Sequence, residues 1–536
     1  MMKRLLLLGL LFGFVNTIEA QGYLETQKVT ASQLGTAYNF GHAVAIQGDI
    51  AVIGSSNANF QGNGPLGVTY IFKKNGNGNW EELQVLVAPD RAQFDKFGQA
   101  VAISNDYIVV SASGQRADVS GGNIIAQAGA VYIYKNNGDD TWVLEQKITA
   151  SDREFGAWFG FDVAIEGNRI VVGCGRNSYD VNGENFQHRA GAAYIFEKDV
   201  TNVWNQVAKV VAPDRATEDR FGYAVSINGD YASVGAYNED EDENGNNTIS
   251  SAGAVYVYKR ENNGNWSFQQ KLVPTTRPDN SEWLGWSLDM DSEYIVAGAI
   301  AADEPSASSG AVYIFKRDVN DTWNEVDKLT ATDGIQGEWF GYDVAIQDDR
   351  ILVGAYQDYI TTNGIPNTHG SVYLYLKDTN SDSWSHQQKV IASNWQDANI
   401  HNFGISVAVS NDDLIIGNSI SDEIDTNTSN PINEAGSAYM LSFDPDLVVL
   451  SNNPIDNTLK FKAYPNPVVN TLHIDFKSSL ESVNISIHNS LGQEVYSNLH
   501  KNTISIRVPF NFSKGVYWVK VGTAPSKIST LKVLKQ

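Results

Sequence analysis

The densest chemistry in the chain lies in one loop, NEDEDENGNN (Asn238–Asn247), where Asp240, Asp242 and Asn244 alternate and Gly245 follows. Oxygen-bearing side chains at every second position, with a glycine at the sharp turn, are what a calcium loop needs. The bidentate carboxylate that should close the loop is missing, because the twelfth position is Ser251. The loop therefore reads either as a calcium site or as a solvated acidic turn, and calcium is the one cofactor suggested. Asp180-x-Asn182-Gly183 is a weaker version of the pattern.

A second set is aromatic. Trp158, Trp283 and Trp339 each precede a Phe-Gly or Leu-Gly pair, Trp286 follows one, and Trp395 lies in the last such loop. Exposed tryptophans stack well on sugar rings. The competing reading is that they wedge between structural units as core. Three further groups invite attention and are read as structural. The Asp-Arg pairs (Asp90-Arg91, Asp152-Arg153, Asp214-Arg215) recur at equivalent positions, whereas a catalytic pair is normally unique. The Gln-Lys pairs (Gln27-Lys28, Gln146-Lys147, Gln270-Lys271, Gln388-Lys389) read as outer-strand surface. Cys174 takes a place held by Ser or Ala elsewhere, so it reads as a small buried residue. No nucleophile elbow, phosphate loop or paired Cys or His metal spacing occurs, and His369, His386 and His401 fall in different parts of the pattern.

These residues are positioned by a repeat. The Phe-Gly pair or its equivalent occurs at Phe40-Gly41, Phe97-Gly98, Phe159-Gly160, Phe221-Gly222, Leu284-Gly285, Phe340-Gly341 and Phe403-Gly404. Each copy continues with an alternating apolar run, a polar turn, a second apolar run, a loop, a GAVYIF-like run, and a run opening on Trp. Short β-branched and aromatic runs between Gly/Asn/Asp turns are antiparallel strands. Four strands per repeat and seven repeats predict a seven-bladed β-propeller, an all-β fold.

Spacing shows where function has room. From the Gly of each pair to the small residue ending the second strand is always 13 residues, as from Gly41 to Gly54. Between the second and third strands the interval runs from 12 (Gly298 to Gly310) to 19 (Gly417 to Gly436). Paired strands cannot change length without flipping their buried face, while loops can. The variable connections, after strands two and four, share one face of the disc, and a ligand site is expected there. The seventh repeat lacks its fourth run. Tyr23–Ser32 (YLETQKVTAS) matches Trp142–Ser151 (WVLEQKITAS), so the N-terminus is expected to close the ring.

The bulk numbers fit. The chain has 536 residues, 42% of them hydrophobic, and a net charge of −24 from 38 basic and 62 acidic side chains. Such acidity argues against nucleic acid or anionic membranes as partners. Residues 1–20 read as a signal peptide, with Lys3 and Arg4 before LLLLGLLFGFV. No other apolar run approaches a membrane span of about 18 residues, so no transmembrane segment is expected in the mature chain.

The Phe-Gly and Gly-Ala motifs resemble the FG-GAP repeats of integrin α-subunit heads, over roughly Tyr23–Phe443. The resemblance implies the propeller. It does not carry over the integrin calcium loops, because the turns between first and second strands here are only QGD, SND, EGN, NGD, DSE, QDD and SND. After a linker at 444–462, residues 463–536 read as a small β-sandwich. This segment is similar to the C-terminal sorting domain of the bacterial type IX secretion system. Tyr464-Pro465-Asn466-Pro467, Leu491-Gly492-Gln493, Gly515-Val516-Tyr517, Lys532 and Lys535 carry the match. That resemblance implies a Bacteroidetes-type bacterium, the secretion machinery as partner, and a mature propeller (21–443) that is secreted or held at the outer surface. The expected function is binding or adhesion to a glycan or surface protein through one loop face. The rivals are a polysaccharide lyase or glycosidase on the same scaffold, and a structural surface-layer component.

Overall fold

The computed structural model describes residues 22–33, 35–59, 64–276, 280–362, 365–378, 381–394, 400–424, 431–444, 461–464, 468–489, 493–524 and 527–535. The expected signal peptide, Trp395, most of the linker, Pro465–Pro467 and Gly492 lie outside them. Two compact units divide between Leu450 and Ser451.

The first unit is a ring of seven four-stranded antiparallel sheets. The blade of Phe97–Ser104, Tyr107–Ala112, Ala130–Asn136 and Trp142–Ile148 is typical, its strands hydrogen-bonded in chain order. The burial pattern explains its sequence. Tyr107–Ala112 is buried at every position but its first, so it reads as a continuous apolar run. Trp142–Ile148 is buried at its ends and partly or fully exposed between them, so its middle is polar. The seventh sheet departs from chain order: Gly22–Val29 pairs antiparallel with Ser437–Asp444, followed by Asp413–Ser421 and Ile400–Ser410. The N-terminal strand thus closes the ring, and Tyr23 is 1% exposed within it. Closure pairs the edge of Ser437–Asp444 that would otherwise be open to another chain.

The core is made of slabs between neighbouring blades. One slab joins Val109, Val131 and Ile133 to Phe159, Val172, Tyr194 and Trp204 of the next blade. At its inner end each slab is locked by a joint that explains the motif residues. The Phe of one blade forms a parallel bridge to the Gly that opens the third strand of the blade before, as Phe221 does to Gly191. A Cβ on Gly191 would lie 1.9 Å from the Phe221 carbonyl oxygen, and one on Gly222, at φ +86°, 2.1 Å from that of Ala192. Only glycine permits both the backbone approach and the left-handed turn. The Phe then meets a third-strand Tyr edge to face, Phe221 to Tyr256 at 5.4 Å.

At the outer end the Gln-Lys pairs prove to be joints, which corrects the surface reading. The Gln146 amide donates to the Trp204 carbonyl at 2.7 Å and accepts from its N–H at 2.9 Å. Gln84 and Trp142 do the same, as do Gln270 and Trp323, and Gln388 and Tyr23. A side-chain amide here imitates one more rung of a sheet ladder. The lysines bind inward. Lys209 and the Tyr194 hydroxyl both donate to Asp152, at 2.6 and 2.7 Å, and Lys147 with Tyr132, Lys271 with Tyr256 and Lys389 with Tyr373 repeat the triad. The Asp of the Asp-Arg pair is therefore an inter-blade acceptor. Its neighbour Arg153 donates to the Asn123 and Arg116 carbonyls of a loop in the preceding blade.

The second unit is one five-stranded antiparallel sheet. Its long strand Thr471–Asn489 pairs with Glu494–Pro509, with a register break between Asp475 and Leu480. Both halves of that strand contribute to one core with Phe510, Tyr517 and Val519. Of the sorting-signal residues, Gly515 opens a strand and pairs with Lys535, Lys532 pairs with Trp518, and Tyr464 pairs with His473. The Tyr517 hydroxyl donates to the Ser513 carbonyl at 2.9 Å.

Candidate functional site

The channel through the ring encloses about 390 Å³. Every Phe-Gly joint delivers its next residue to this channel: His42, Gln99, Phe161, Tyr223, Trp286, Tyr342 and Ile405 all line it. The residue before each joint is equally constrained. Asn39, Lys96, Trp158, Arg220, Trp283, Trp339 and Asn402 have φ between 57° and 70°. A left-handed residue followed by a tight turn brings positions i and i+3 together, as the Tyr342 N–H donating to the Trp339 carbonyl at 3.2 Å shows.

In three blades that turn stacks two rings. Trp158 lies on Phe161 (5.9 Å, planes 7° apart), Trp283 on Trp286 (5.6 Å, 16°) and Trp339 on Tyr342 (6.4 Å, 8°). Contacts between blades join these pairs into an arc. Phe161 meets Tyr223 at 4.6 Å, Tyr223 meets Trp286 at 4.8 Å, and Trp286 meets Tyr342 at 5.7 Å. The loops after two second strands add Tyr237, 5.1 Å from Trp286, and Tyr356, 4.3 Å from Tyr342. All nine rings are half-buried, so each keeps a surface toward solvent. None is among the buried residues that make up the slabs between blades.

The rest of the mouth is not aromatic. His42 bonds Gln99 at 3.0 Å, and burial beside Lys96 pushes the imidazole down to about 4, so it is neutral at ordinary pH. The Arg176 guanidinium lies 3.5 Å from the centre of the Trp158 ring and the Lys96 ammonium 5.3 Å from it. Further in, Asp162, Asp289 and Asp343 retain some surface toward the channel yet sit deep inside the ring. Desolvation raises them to about 7, 6 and 7. Their oxygens staple blades together: Asp162 accepts from the Val225 N–H at 2.8 Å, Asp289 from Ile346 at 2.8 Å, and Asp343 from Val407 at 2.7 Å.

The acidic loop is held by its own hydrogen bonds. One oxygen of Asp242 accepts from the Asn244 and Asn246 N–H groups, at 2.9 and 2.8 Å, and the other from the Asn247 amide. Asp240 accepts from the Ser251 N–H at 2.6 Å. Asp118 and Asp180 make the same turn in the two preceding blades, so this is a repeated loop clamp. Among the described residues, Asp214, Glu239 and Glu241 are close enough to share an ion, but the Lys271 ammonium already lies 2.7 Å from Asp214 and 3.1 Å from Glu239. Cys174 is fully buried, its Sγ donates to the Ala157 carbonyl at 3.3 Å, and burial pushes its thiol far up. The scattered histidines are partly reunited: the His369 and His401 rings stack at 6.3 Å.

Sequence reasoning therefore found Trp158, Trp283, Trp286 and Trp339, which the fold gathers, and missed Phe161, Tyr223, Tyr237, Tyr342 and Tyr356. The usable signal for Phe161, Tyr223 and Tyr342 was the column after Phe-Gly, which varies from repeat to repeat while its neighbours hardly change.

The comparisons agree with this architecture. A family model described as FG-GAP repeat matches residues 23–72, 80–134, 142–196, 204–258, 266–315, 323–375 and 384–441. One described as a secretion system C-terminal sorting domain matches residues 462–536. No match is found among curated proteins. The solved structures that match include Sqt1 of Saccharomyces cerevisiae, at 10% identity over 84% of this chain and 95% of that one. The TM-score is 0.39, a likeness too loose to bear on function. Among the described residues no helix is long and apolar enough to cross a membrane.

Proposed function

The chain belongs to the FG-GAP repeat family, and from that premise we propose that its propeller is a binding module that holds a glycan against the aromatic mouth of the channel. The sorting domain directs the protein out of the cell through the type IX secretion system, to the cell surface or the extracellular space. Polysaccharides are abundant ligands in that setting. One observation supports the reading above others: nine half-buried rings run in a continuous arc at the mouth, outside the cores that hold the blades together. Sugar rings present C–H faces that pack on such platforms, and large apolar platforms with a few polar groups are the usual form of a ligand site.

The three tryptophans before the joints add a second support. The left-handed conformation costs a residue with a Cβ about 1–2 kcal/mol, and Asn tolerates it best. Asn occupies the position in the first and last blades, while Trp occupies it in three others. A bulky ring kept where Asn would fold more easily is consistent with selection for what the ring does.

The test is calorimetric titration of the full chain with a panel of polysaccharides, beside the Trp286→Ala variant. The expected result is one glycan class that binds, quenches tryptophan fluorescence, and loses about tenfold or more in affinity in the variant. Binding unchanged by Trp286→Ala would move the site elsewhere. No binding across the panel would favour a protein ligand.

A further inference from the structure

Positive charge gathers at one end of the aromatic arc. In a chain of net charge −24, Lys96, Arg176, Arg189 and Arg220 meet there. Among the described residues one carboxylate, Glu218, pairs with this group, lying 2.6 Å from Arg220 and 3.6 Å from Arg189. Among the described residues Lys96 and Arg176 make no ion pair. Both are half-buried, and both are held against the Trp158 ring. The charged form of each is disfavoured: Lys96 is lowered by burial first and then by Arg176, and Arg176 by burial and then by Arg220 and Arg189.

Holding unpaired cations out of water is costly, and folded proteins seldom retain them without a counterion. Lys209 and Lys198, also half-buried, are given a carboxylate, Asp152 and Glu145, and the half-buried Arg153 and Arg215 are given carbonyl oxygens. Lys96 and Arg176 instead lie against the aromatic arc. Arg and Lys are also the donors that carboxylate and sulfate oxygens fit best.

We propose that the ligand of the mouth is an acidic glycan, whose carboxylate or sulfate is neutralised by Lys96 and Arg176 while its rings lie along the arc from Phe161 to Tyr342. The proposal rests on the glycan-binding reading and names the class within it. The two cations would set which residue of the polymer sits at the Trp158 end, and the tryptophans would hold the sugars that follow. The remote acidic surface repels a polyanion, but at physiological salt the screening length is about 8 Å, so the local cations dominate once the chain is seated.

The experiment titrates the full chain at physiological salt with polygalacturonate, dextran sulfate and a neutral glucan. The variants are Lys96→Gln, Arg176→Gln and the pair, each checked by melting temperature. The expected result is binding of an acidic polymer at least tenfold tighter than of the neutral one. Each single substitution should weaken it about tenfold, as expected for a lost charge-assisted bond. Preference for polygalacturonate or for dextran sulfate identifies the acid group, and either preference supports the proposal. Tight binding of the neutral glucan, unchanged in the double variant, would overturn the acidic ligand and leave the glycan reading standing. Acidic-polymer binding that survives the double variant would overturn the role of these two cations. Failure of all three probes, with wild-type melting behaviour, would count against both.

Discussion

At the rim of the ring, Gln84, Gln146, Gln270 and Gln388 make the same two-bond clip in blade after blade. At the mouth, the position after Phe-Gly is His, Gln, Phe, Tyr, Trp, Tyr and Ile in turn. Both positions sit in equivalent places on the same scaffold, so geometry does not account for the difference. A rim residue faces the next blade, whose backbone is alike in every copy, and one solution serves five of the seven seams, Asp327 and Ala208 standing at the other two. A mouth residue faces the channel, where nothing in the fold dictates its identity. Repetition therefore marks what holds the ring together, and divergence marks where a ligand can act.

The comparison can be broken most severely by opening the ring. Deleting residues 22–32 removes the strand that pairs with Ser437–Asp444 and exposes the inter-blade core around Tyr23. The expected outcome is loss of the cooperative folded monomer, seen as aggregation in size-exclusion chromatography. A soluble monomer with an unchanged melting temperature would refute closure by this strand. Next is Gly222→Ala, which adds left-handed strain and a Cβ 2.1 Å from the Ala192 oxygen. It should destabilise by about 2–4 kcal/mol in denaturant unfolding.

Smaller effects sharpen the contrast. Gln146→Ala removes one rim clip and should cost about 1–2 kcal/mol, whereas Ala208→Gln offers a clip to Trp266 at the seam that has Ala in the Gln position and should raise the melting temperature. The channel carboxylates give a pH signature. Asp343 is raised to about 7 from an ordinary 3.8, so the folded state favours its protonated form. That stabilisation is present in full below about pH 4 and is lost as the pH rises through about 7. Asp343→Asn should flatten the fall in melting temperature between pH 4 and pH 8. The smallest effect on stability belongs to the mouth. Trp283→Asn places there the residue that already serves at Asn39 and Asn402, relieving backbone strain while losing half-buried ring contacts. It should shift the melting temperature less than Gln146→Ala and still weaken glycan binding.

Legibility followed the same division. The Phe-Gly and Gly-Ala motifs, the Trp that opens each fourth strand, and the match of Tyr23–Ser32 to Trp142–Ser151 were plain in the sequence, because strand patterning and turn chemistry are local. The Gln-Lys pairs were misread as surface, because the partner of Gln146 is Trp204, on the next blade. The alternate carboxylates around Asp242 were legible, but not which N–H groups they would meet; folded, the loop of Asp242 supplies its donors.

The sequence by itself determined the count of blades, their four-strand grammar, the closing strand and the sorting domain, since each depends on residue order within one repeat or on likeness between repeats. Only the tertiary structure decided that Trp158, Phe161, Tyr223, Trp286 and Tyr342 form one surface with Arg176 and Lys96 at its end. Those residues come from successive blades, and they meet because strand pairing and inter-blade packing bend the chain into a closed ring, a constraint that no local stretch of sequence contains.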